Sequence, residues 1–402
     1  MNYAMLNTKT GTQFLQTTLN YNPHPFLLVM DESHYVKNTS AARWKNVNTL
    51  AHHPNCVARL AMTGTPIAKN LLDEWAQLRI VNEDILGIRF KSHFRNEYCC
   101  MGGFEGRQVV GHRNLERFKE KTDPYVYRVK KEGLPSKIYK EWKFQMADKQ
   151  KQKYQTMAKH LIAEIEDGRV LTAQSALTSI GKLQQISNGF LYYEEDGQVK
   201  ASNLFPARNL DNPRIIAMEE YINAPENDGE RILIWCRYKW DIEVVKLILM
   251  MRQSEETAVL ESGMSSSERE KVLHSWNHIP VEKGGPRFLV ANPGTGGTGL
   301  NLHEGGCARV LYYSNSENSI QRWQSEDRVH RVGIQRPVIY TDLIAMGSRD
   351  RAILANLKQK KDLSDMRLND IKEQLEMTVS GAIDQHTDEF QQYLATKYRG
   401  TV

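Results

Sequence analysis

Short, unbroken apolar runs alternate with segments of helical spacing along much of this chain. Residues 26–30 are apolar and lead into Asp31-Glu32-Ser33-His34. Residues 59–62 lead in the same way into Thr63-Gly64-Thr65-Pro66. Such runs predict buried parallel strands, because a strand covered on both faces needs no polar alternation. Residues 72–78 have helical spacing. A second series follows, with a strand expected at 231–236, a helix at 241–251, and further strands at 258–260, 288–290, 310–313 and 338–340. The spacing fits βαβ units with crossovers, hence an α/β fold.

Between residues 102 and 188 the pattern changes. Basic and polar residues dominate, 149–165 reads as a helix, and 125–129 and 138–144 are strand-like. This predicts an inserted or appended, mainly helical region. Residues 194–230 hold Asp-Gly, Asn-Pro and Asn-Asp-Gly turns, as expected of a linker. The tail from residue 348 is helical in pattern and carries no chemical signal.

Composition narrows the class. The 402 residues suffice for two or three domains, with 40% hydrophobic and 25% charged residues. No apolar run approaches the roughly 20 residues of a membrane span, so no membrane is expected as a partner. Five cysteines without CxxC spacing fit neither a disulfide framework nor a zinc site, which points to the cytoplasm. The net charge of +5 is unevenly spread: residues 107–159 hold 15 Lys and Arg against 6 Asp and Glu. That excess is an electrostatic footprint for polyanions. The bland alternative is a solvated helical surface. Lys130 and Lys131, adjacent within this stretch, are candidate nucleic-acid contacts.

Four strings carry candidate chemistry. Asp31 and Glu32 follow a strand, where open α/β sheets bind ligands. One carboxylate there can hold Mg²⁺ through water and its neighbour can polarise an attacking water. A pair favoured by a helix N-terminus is the alternative. Residues 324–335 read QSEDRVHRVGIQ. On a helix, Arg328 and Arg331 would share a face, and two guanidiniums there suit a triphosphate. A surface helix with an Asp327–Arg331 pair is the bland reading. Residues 294–299 read GTGGTG, which satisfies GxGxxG, with Glu317 18 residues beyond Gly299. A nicotinamide-dependent oxidoreductase is therefore a third reading, although Asn301-Leu302-His303 breaks the expected helix early. Thr63 and Thr65 bring hydroxyls to a second strand end, where they could sense the state of Asp31 to His34.

The ordered set resembles the Swi/Snf-type family of superfamily-two helicase-like ATPases. DESH at 31–34 is similar to motif II, TGTPIAKN at 63–70 to motif III, and RILIWCRY at 231–238 to motif IV. GTGGTGLNL at 294–302 resembles motif V and QSEDRVHRVGIQ motif VI. LQQISNGF at 183–190 resembles the segment before the inter-lobe linker. The resemblance spans roughly residues 1–345, and its compact segments suggest a bacterial or bacteriophage member, placed in the host cytoplasm if viral.

The resemblance implies RecA-like parallel sheets in two lobes, with ATP and Mg²⁺ in the cleft and double-stranded DNA as partner. Residues 1–101 would be the end of the first lobe, 102–193 the basic helical insertion and 194–230 the linker. The second lobe would span 231–347 and the helical tail 348–402. Asp31 would hold Mg²⁺ and Glu32 would activate water. His34, Thr63 and Thr65 would couple hydrolysis to movement. Arg328 and Arg331 would reach the phosphates, with Gln324 alongside. Gln324, Gly297 and Gly299 would bind the nucleotide, and Gly297 and Asn301 would link its state to the DNA strand.

Two departures stand out. Gly333-Ile334-Gln335 inserts one residue at the end of motif VI. No GxxxxGK[ST] occurs, since Gly181-Lys182 is followed by Leu183. Asn2-Tyr3 resembles the later motif Ib, so the first lobe is expected to be incomplete, to be completed by an upstream polypeptide or by a true start that lies earlier. A catalytically inactive, nucleic-acid-binding remnant is the alternative.

Overall fold

The computed structural model describes residues 3–21, 23–64, 71–102, 108–129, 133–169, 173–206, 210–252, 257–294, 300–359 and 368–385. The chain divides into two units, one ending at residue 130 and the next beginning at 131.

The first unit holds α1 (Lys9–Tyr21), β1 (Phe26–Met30), α2 (Ala42–Ala51), β2 (Cys56–Ala61), α3 (Leu71–Val81), α4 (Lys91–Tyr98), β3 (Cys99–Gly102), β4 (Gln108–His112) and α5 (Leu115–Thr122). Strands β1 and β2 pair in parallel, with Val29 opposite Leu60. Met30 and Leu28 pack into a core with Val36, Trp44, Trp75 and Ile80. The other face of the pair is open: Leu27, Val29 and Leu60 are 54%, 47% and 47% exposed. Parallel strands normally have both faces covered, so this apolar face is an exception. Strands β3 and β4 form an antiparallel pair.

The second unit opens with β5 (Lys137–Gln145), α6 (Asp148–Glu166), α7 (Ala173–Asn188), β6 (Phe190–Glu195), β7 (Gln198–Asn203) and α8 (Pro213–Ile222). It continues through β8 (Ile232–Trp235), α9 (Lys239–Arg252), β9 (Thr257–Leu260), α10 (Ser266–His278), β10 (Phe288–Ala291), β11 (Arg309–Tyr312), α11 (Ser319–Glu326) and β12 (Val338–Met346). Helices α12 (Asp350–Lys358), α13 (Leu368–Ser380) and α14 (Ala382–Gln385) follow. Six strands make one sheet in the order β5-β12-β11-β8-β10-β9, and every pairing is parallel. Alternate residues of β8 serve opposite faces. Ile232 and Ile234 meet Ile215 of α8 and Val245 of α9. Leu233 and Trp235 join the cluster containing Trp276 of α10. Double-sided burial explains why β8 and β10 read as continuous apolar runs.

Some elements depart from expectation. Strand β5 lies in the stretch read as an insertion, yet it is an outer strand of the second sheet. Its sequence KIYKEWKFQ places lysines along an edge, where charge discourages further pairing. Residues 125–129 form no strand, because Pro124 lies in a 3-10 turn and Tyr127 and Val129 stand exposed. The stretch read as a linker contains β7 and α8, the latter capped by Asn212 with Pro213 at its first position. Helices α6, α7 and α13 share a core through Tyr154, Leu161, Leu183 and Leu375. Among the described residues no helix is long and apolar enough to cross a membrane.

Candidate functional site

In the first unit the acid pair sits where β1 ends. Met62 N donates to Met30 O, and Ser33 N donates to Met62 O, both at 2.9 Å. The turn after β1 is thereby fastened to the exit of β2. Ser33 Oγ donates to Gln77 Oε1 of α3 at 2.7 Å, inside the core. Glu32 has a left-handed backbone, with φ of 49°. For a residue with a Cβ that conformation costs about 1–3 kcal/mol and concentrates at functional sites. It brings Glu32 Oε2 to 3.2 Å from His34 Nδ1. His34 Nδ1 is also 3.2 Å from Thr63 Oγ1. Carboxylate, imidazole and hydroxyl thus gather at two adjacent strand ends, while the imidazole itself is buried.

Asp31 is exposed, and its Oδ1 accepts from Glu32 N at 3.0 Å. A single open carboxylate suits Mg²⁺, which keeps most of its waters. Among the described residues no group of three His, Cys, Asp or Glu side chains could hold an ion. Tyr3, read in the sequence as part of motif Ib, adds a group to this site that motif reading did not place there. Its buried hydroxyl has no hydrogen-bond partner. Burial, then Asp31 and Glu32, push it up to about 12. Thr65 lies outside the described residues.

In the second unit, α11 begins with Asn318 accepting from Gln321 N at 3.0 Å and ends at Glu326. Arg328 and Arg331 therefore do not share a helical face, contrary to the sequence expectation. The physical reason is local. Val329 enters the sheet core, and Arg328 O accepts from Leu302 N at 3.0 Å, so the chain turns inward before either arginine. Arg331 Nε donates to Asp327 O at 2.9 Å, and its Nη1 donates to Asn301 Oδ1. Asp327 Oδ1 instead meets Lys137 Nζ at 3.3 Å, so the expected Asp327–Arg331 side-chain pair is absent. Arg328 is buried. Gln324 Nε2 is buried without a hydrogen-bond partner.

The entry to the glycine-rich segment is built by Asn292. Its Nδ2 donates to Arg237 O at 2.6 Å, and its Oδ1 accepts from Gly294 N at 2.7 Å. Gly297, Gly299, Lys130 and Lys131 lie outside the described residues. Glu317, the ribose acid of the dinucleotide reading, is buried and faces Arg349 Nη2 at 3.4 Å. That engagement removes its service to a ribose.

Motif reading also missed the polar network behind these segments. Arg322 donates to Asp342 Oδ1 at 2.5 Å and Oδ2 at 3.1 Å, to Glu326 Oε1 at 2.9 Å and to Asn315 Oδ1 at 2.6 Å. Its guanidinium lies 3.4 Å from the Tyr312 ring centre. Gln184 Nε2 donates to Asn315 O at 2.9 Å, and Arg237 Nη1 donates to Gln184 Oε1. Asp241 Oδ2 accepts from Ser314 Oγ at 2.6 Å and Asn188 Nδ2 at 2.9 Å. Burial pushes the Asp241 carboxyl up to about 6, against the pull of those bonds and of Arg214. The four-residue spacing of Arg322 and Glu326 was the one available signal. The segment 183–190 thus anchors strand-end loops of the sheet.

Comparison with known proteins places these features. A model described as the SNF2-related domain matches residues 16–190, and one described as the helicase conserved C-terminal domain matches 214–333. The chain is 27% identical over 352 residues to the chromatin structure-remodeling complex subunit snf21 of Schizosaccharomyces pombe, covering 84% of this chain and 28% of that protein. It is 25% identical over 365 residues to the DNA repair and recombination protein RAD54-like of Gallus gallus, covering 84% and 48%. The chain thus spans less than half the length of either relative. Among solved structures, the Sulfolobus solfataricus SWI2/SNF2 ATPase core in complex with dsDNA aligns with 22% identity and a TM-score of 0.43, covering 94% of this chain and 73% of that one. Two models matched in order, over the segments that carry the motifs, establish that the chain belongs to the Swi/Snf-type family of superfamily-two helicase-like ATPases.

Proposed function

We propose that this chain is the DNA-dependent ATPase and translocase portion of a Swi/Snf-type motor acting on double-stranded DNA. The polypeptide encoded upstream would supply the phosphate-binding loop. The observation that carries the reading is the Glu32–His34–Thr63 cluster at two adjacent parallel strand ends. Phosphoryl transfer to water needs a positioned carboxylate and a means of reporting its state. The left-handed backbone of Glu32 holds the carboxylate, and His34 passes its position to the second strand.

Asp31 would hold Mg²⁺ on ATP, and the ion would neutralise phosphate charge. Glu32 would accept the proton of the attacking water. Arg328 and Arg331 would pair with phosphate oxygens, with Gln324 beside them. Asn301, already bonded to Arg331, would connect that contact to the DNA strand, with Gly297 and Gly299 in the same segment. Thr65 would join the coupling residues. Lys130 and Lys131 would meet DNA phosphates. The five unpaired cysteines support a cytoplasmic setting.

That the phosphate-binding loop would come from outside these 402 residues has two supports. No GxxxxGK[ST] occurs in the sequence, and β1 and β2 leave Leu27, Val29 and Leu60 uncovered. The test is ATP hydrolysis by the chain alone and by the chain joined to the upstream-encoded polypeptide, with and without duplex DNA. Turnover stimulated by DNA in the joined form, and abolished by Glu32→Gln, is expected. A joined form that binds DNA without turnover would instead be the inactive remnant. Its binding should still weaken with salt, with a log–log slope of about −0.9 for each phosphate contacted.

A further inference from the structure

The second unit contains a crevice unrelated to the motif residues. It opens beside the starts of β11 and β12, whereas Asn292 and Ser314 follow the ends of β10 and β11. Its volume of about 310 Å³ is at the small end of ligand sites. Trp142 of β5 and Tyr221 of α8 form one wall, edge to face with ring centres 5.6 Å apart. Ile339 and Thr341 of β12 line the floor, and Arg309, Lys140, Asn227 and the acids Glu141 and Glu226 also line it.

The polar atoms here are unusual. The Tyr221 hydroxyl, Thr341 Oγ1 and Arg309 Nε are all buried, and none makes a hydrogen bond of normal geometry. The two hydroxyls face each other, and Arg309 is close enough to act on Tyr221. The Tyr221 and Thr341 hydroxyls interact with each other, which leaves Arg309 Nε as the buried donor without a partner beside the crevice, and buried polar groups are nearly always satisfied. Burial raises the Tyr221 phenol above its usual range, so it stays protonated and able to donate at neutral pH. Arg309 Nε and Lys140 can only donate. Two carboxylates also border the crevice. Glu141 is held by Arg351 Nη1 at 3.4 Å, and Glu226 is exposed while its carbonyl accepts from Arg309 Nη2 at 3.0 Å.

We propose that this crevice binds a small organic anion. Its carboxylate or phosphate would accept from Arg309 and the Tyr221 and Thr341 hydroxyls, and its planar body would lie against Trp142. Donors beside an aromatic wall match that chemistry. The site is independent of the ATPase reading, since none of its residues belongs to the motifs.

Calorimetry on the full chain tests this with benzoate, phenyl phosphate and the neutral isostere benzamide. Binding of benzoate or phenyl phosphate is expected, and the tighter of the two identifies the head group. Benzamide should bind about tenfold more weakly, the scale of losing a charge-assisted hydrogen bond. Arg309→Met should weaken the anion about tenfold and Thr341→Val about threefold. Arg331→Ala should leave it unchanged, which separates this site from the nucleotide-binding residues. Should Arg309→Met fail to fold, the nearly isosteric Thr341→Val carries the test. No binding of either anion at millimolar concentration overturns the proposal. So does equal affinity for benzamide, or full affinity in both variants.

Discussion

His34 Nδ1 stands 3.2 Å from Thr63 Oγ1, and this contact joins the turn after β1 to the segment after β2. Thr63→Val keeps the volume and removes the hydroxyl. If the contact transmits nucleotide state, the stimulation of ATP hydrolysis by duplex DNA should fall about tenfold, while basal turnover stays within about twofold. Steady-state turnover of the joined form, with and without DNA, measures both. An equal fall in the two rates would assign Thr63 to hydrolysis itself.

Arg331 is held by Asn301 and by Asp327 O, so it is oriented in advance. Arg331→Lys keeps the charge and loses the planar fork. Turnover should drop about a thousandfold, the low end of what a phosphate-facing arginine contributes. ATP binding by a fluorescent analogue should weaken far less. Wild-type turnover in this variant would remove Arg331 from the chemistry.

Leu27 and Val29 form an exposed apolar face on a parallel strand. Replacing both by glutamate should change the stability of the chain alone by no more than about 0.5 kcal/mol each. Under the proposed completion of the first lobe by an upstream-encoded polypeptide, it should also prevent co-purification with that polypeptide. Continued association would place the contact elsewhere.

Arg322 and Asp342 are a buried pair with two parallel hydrogen bonds. Asp342→Ala removes two of the hydrogen bonds of Arg322 and leaves it Glu326 and Asn315, and should cost up to about 3 kcal/mol in urea denaturation. Arg322→Met combined with Asp342→Leu should cost clearly less, because the one carboxylate it exposes to loss of a partner, Glu326, keeps Lys137 Nζ at 3.1 Å. Equal costs would mean that packing, not charge, dominates.

Asp241 makes stability depend on pH. Its carboxyl is raised from 3.8 to about 6 by burial, so the folded state holds the proton more tightly than the unfolded chain. Its contribution is fully present below the unfolded value and is lost as pH rises through about 6. The span is on the order of 3 kcal/mol. Asp241→Asn should flatten the stability profile between about pH 4 and 6. Denaturation at a series of pH values in that window checks it, and an unchanged slope would refute the assignment.

Much of the α/β pattern was legible because parallel strands buried on two faces leave continuous apolar runs, as in β8 and β10. Strand β5 was legible as a strand but not as part of the second sheet. Its half-exposed, lysine-bearing sequence suits any edge, and its pairing with β12 spans nearly 200 residues. The helical reading of 324–335 failed for a related reason. Propensity and spacing favour continuation, but burial of Val329 and the bond from Leu302 N to Arg328 O end the helix.

What the sequence determined by itself was the order of its motifs, the alternation of strands and helices, and the absence of a phosphate-loop string. These are local, one-dimensional properties of residue type and spacing. Tertiary structure alone decided which side chains meet. It brought Glu32, His34 and Thr63 together and gave Arg331 its hold on Asn301. It left the Asp241 carboxyl in a buried site and the Arg309 Nε without a partner beside a crevice. Such contacts depend on how chain segments far apart in sequence pack, and on the solvent that packing removes.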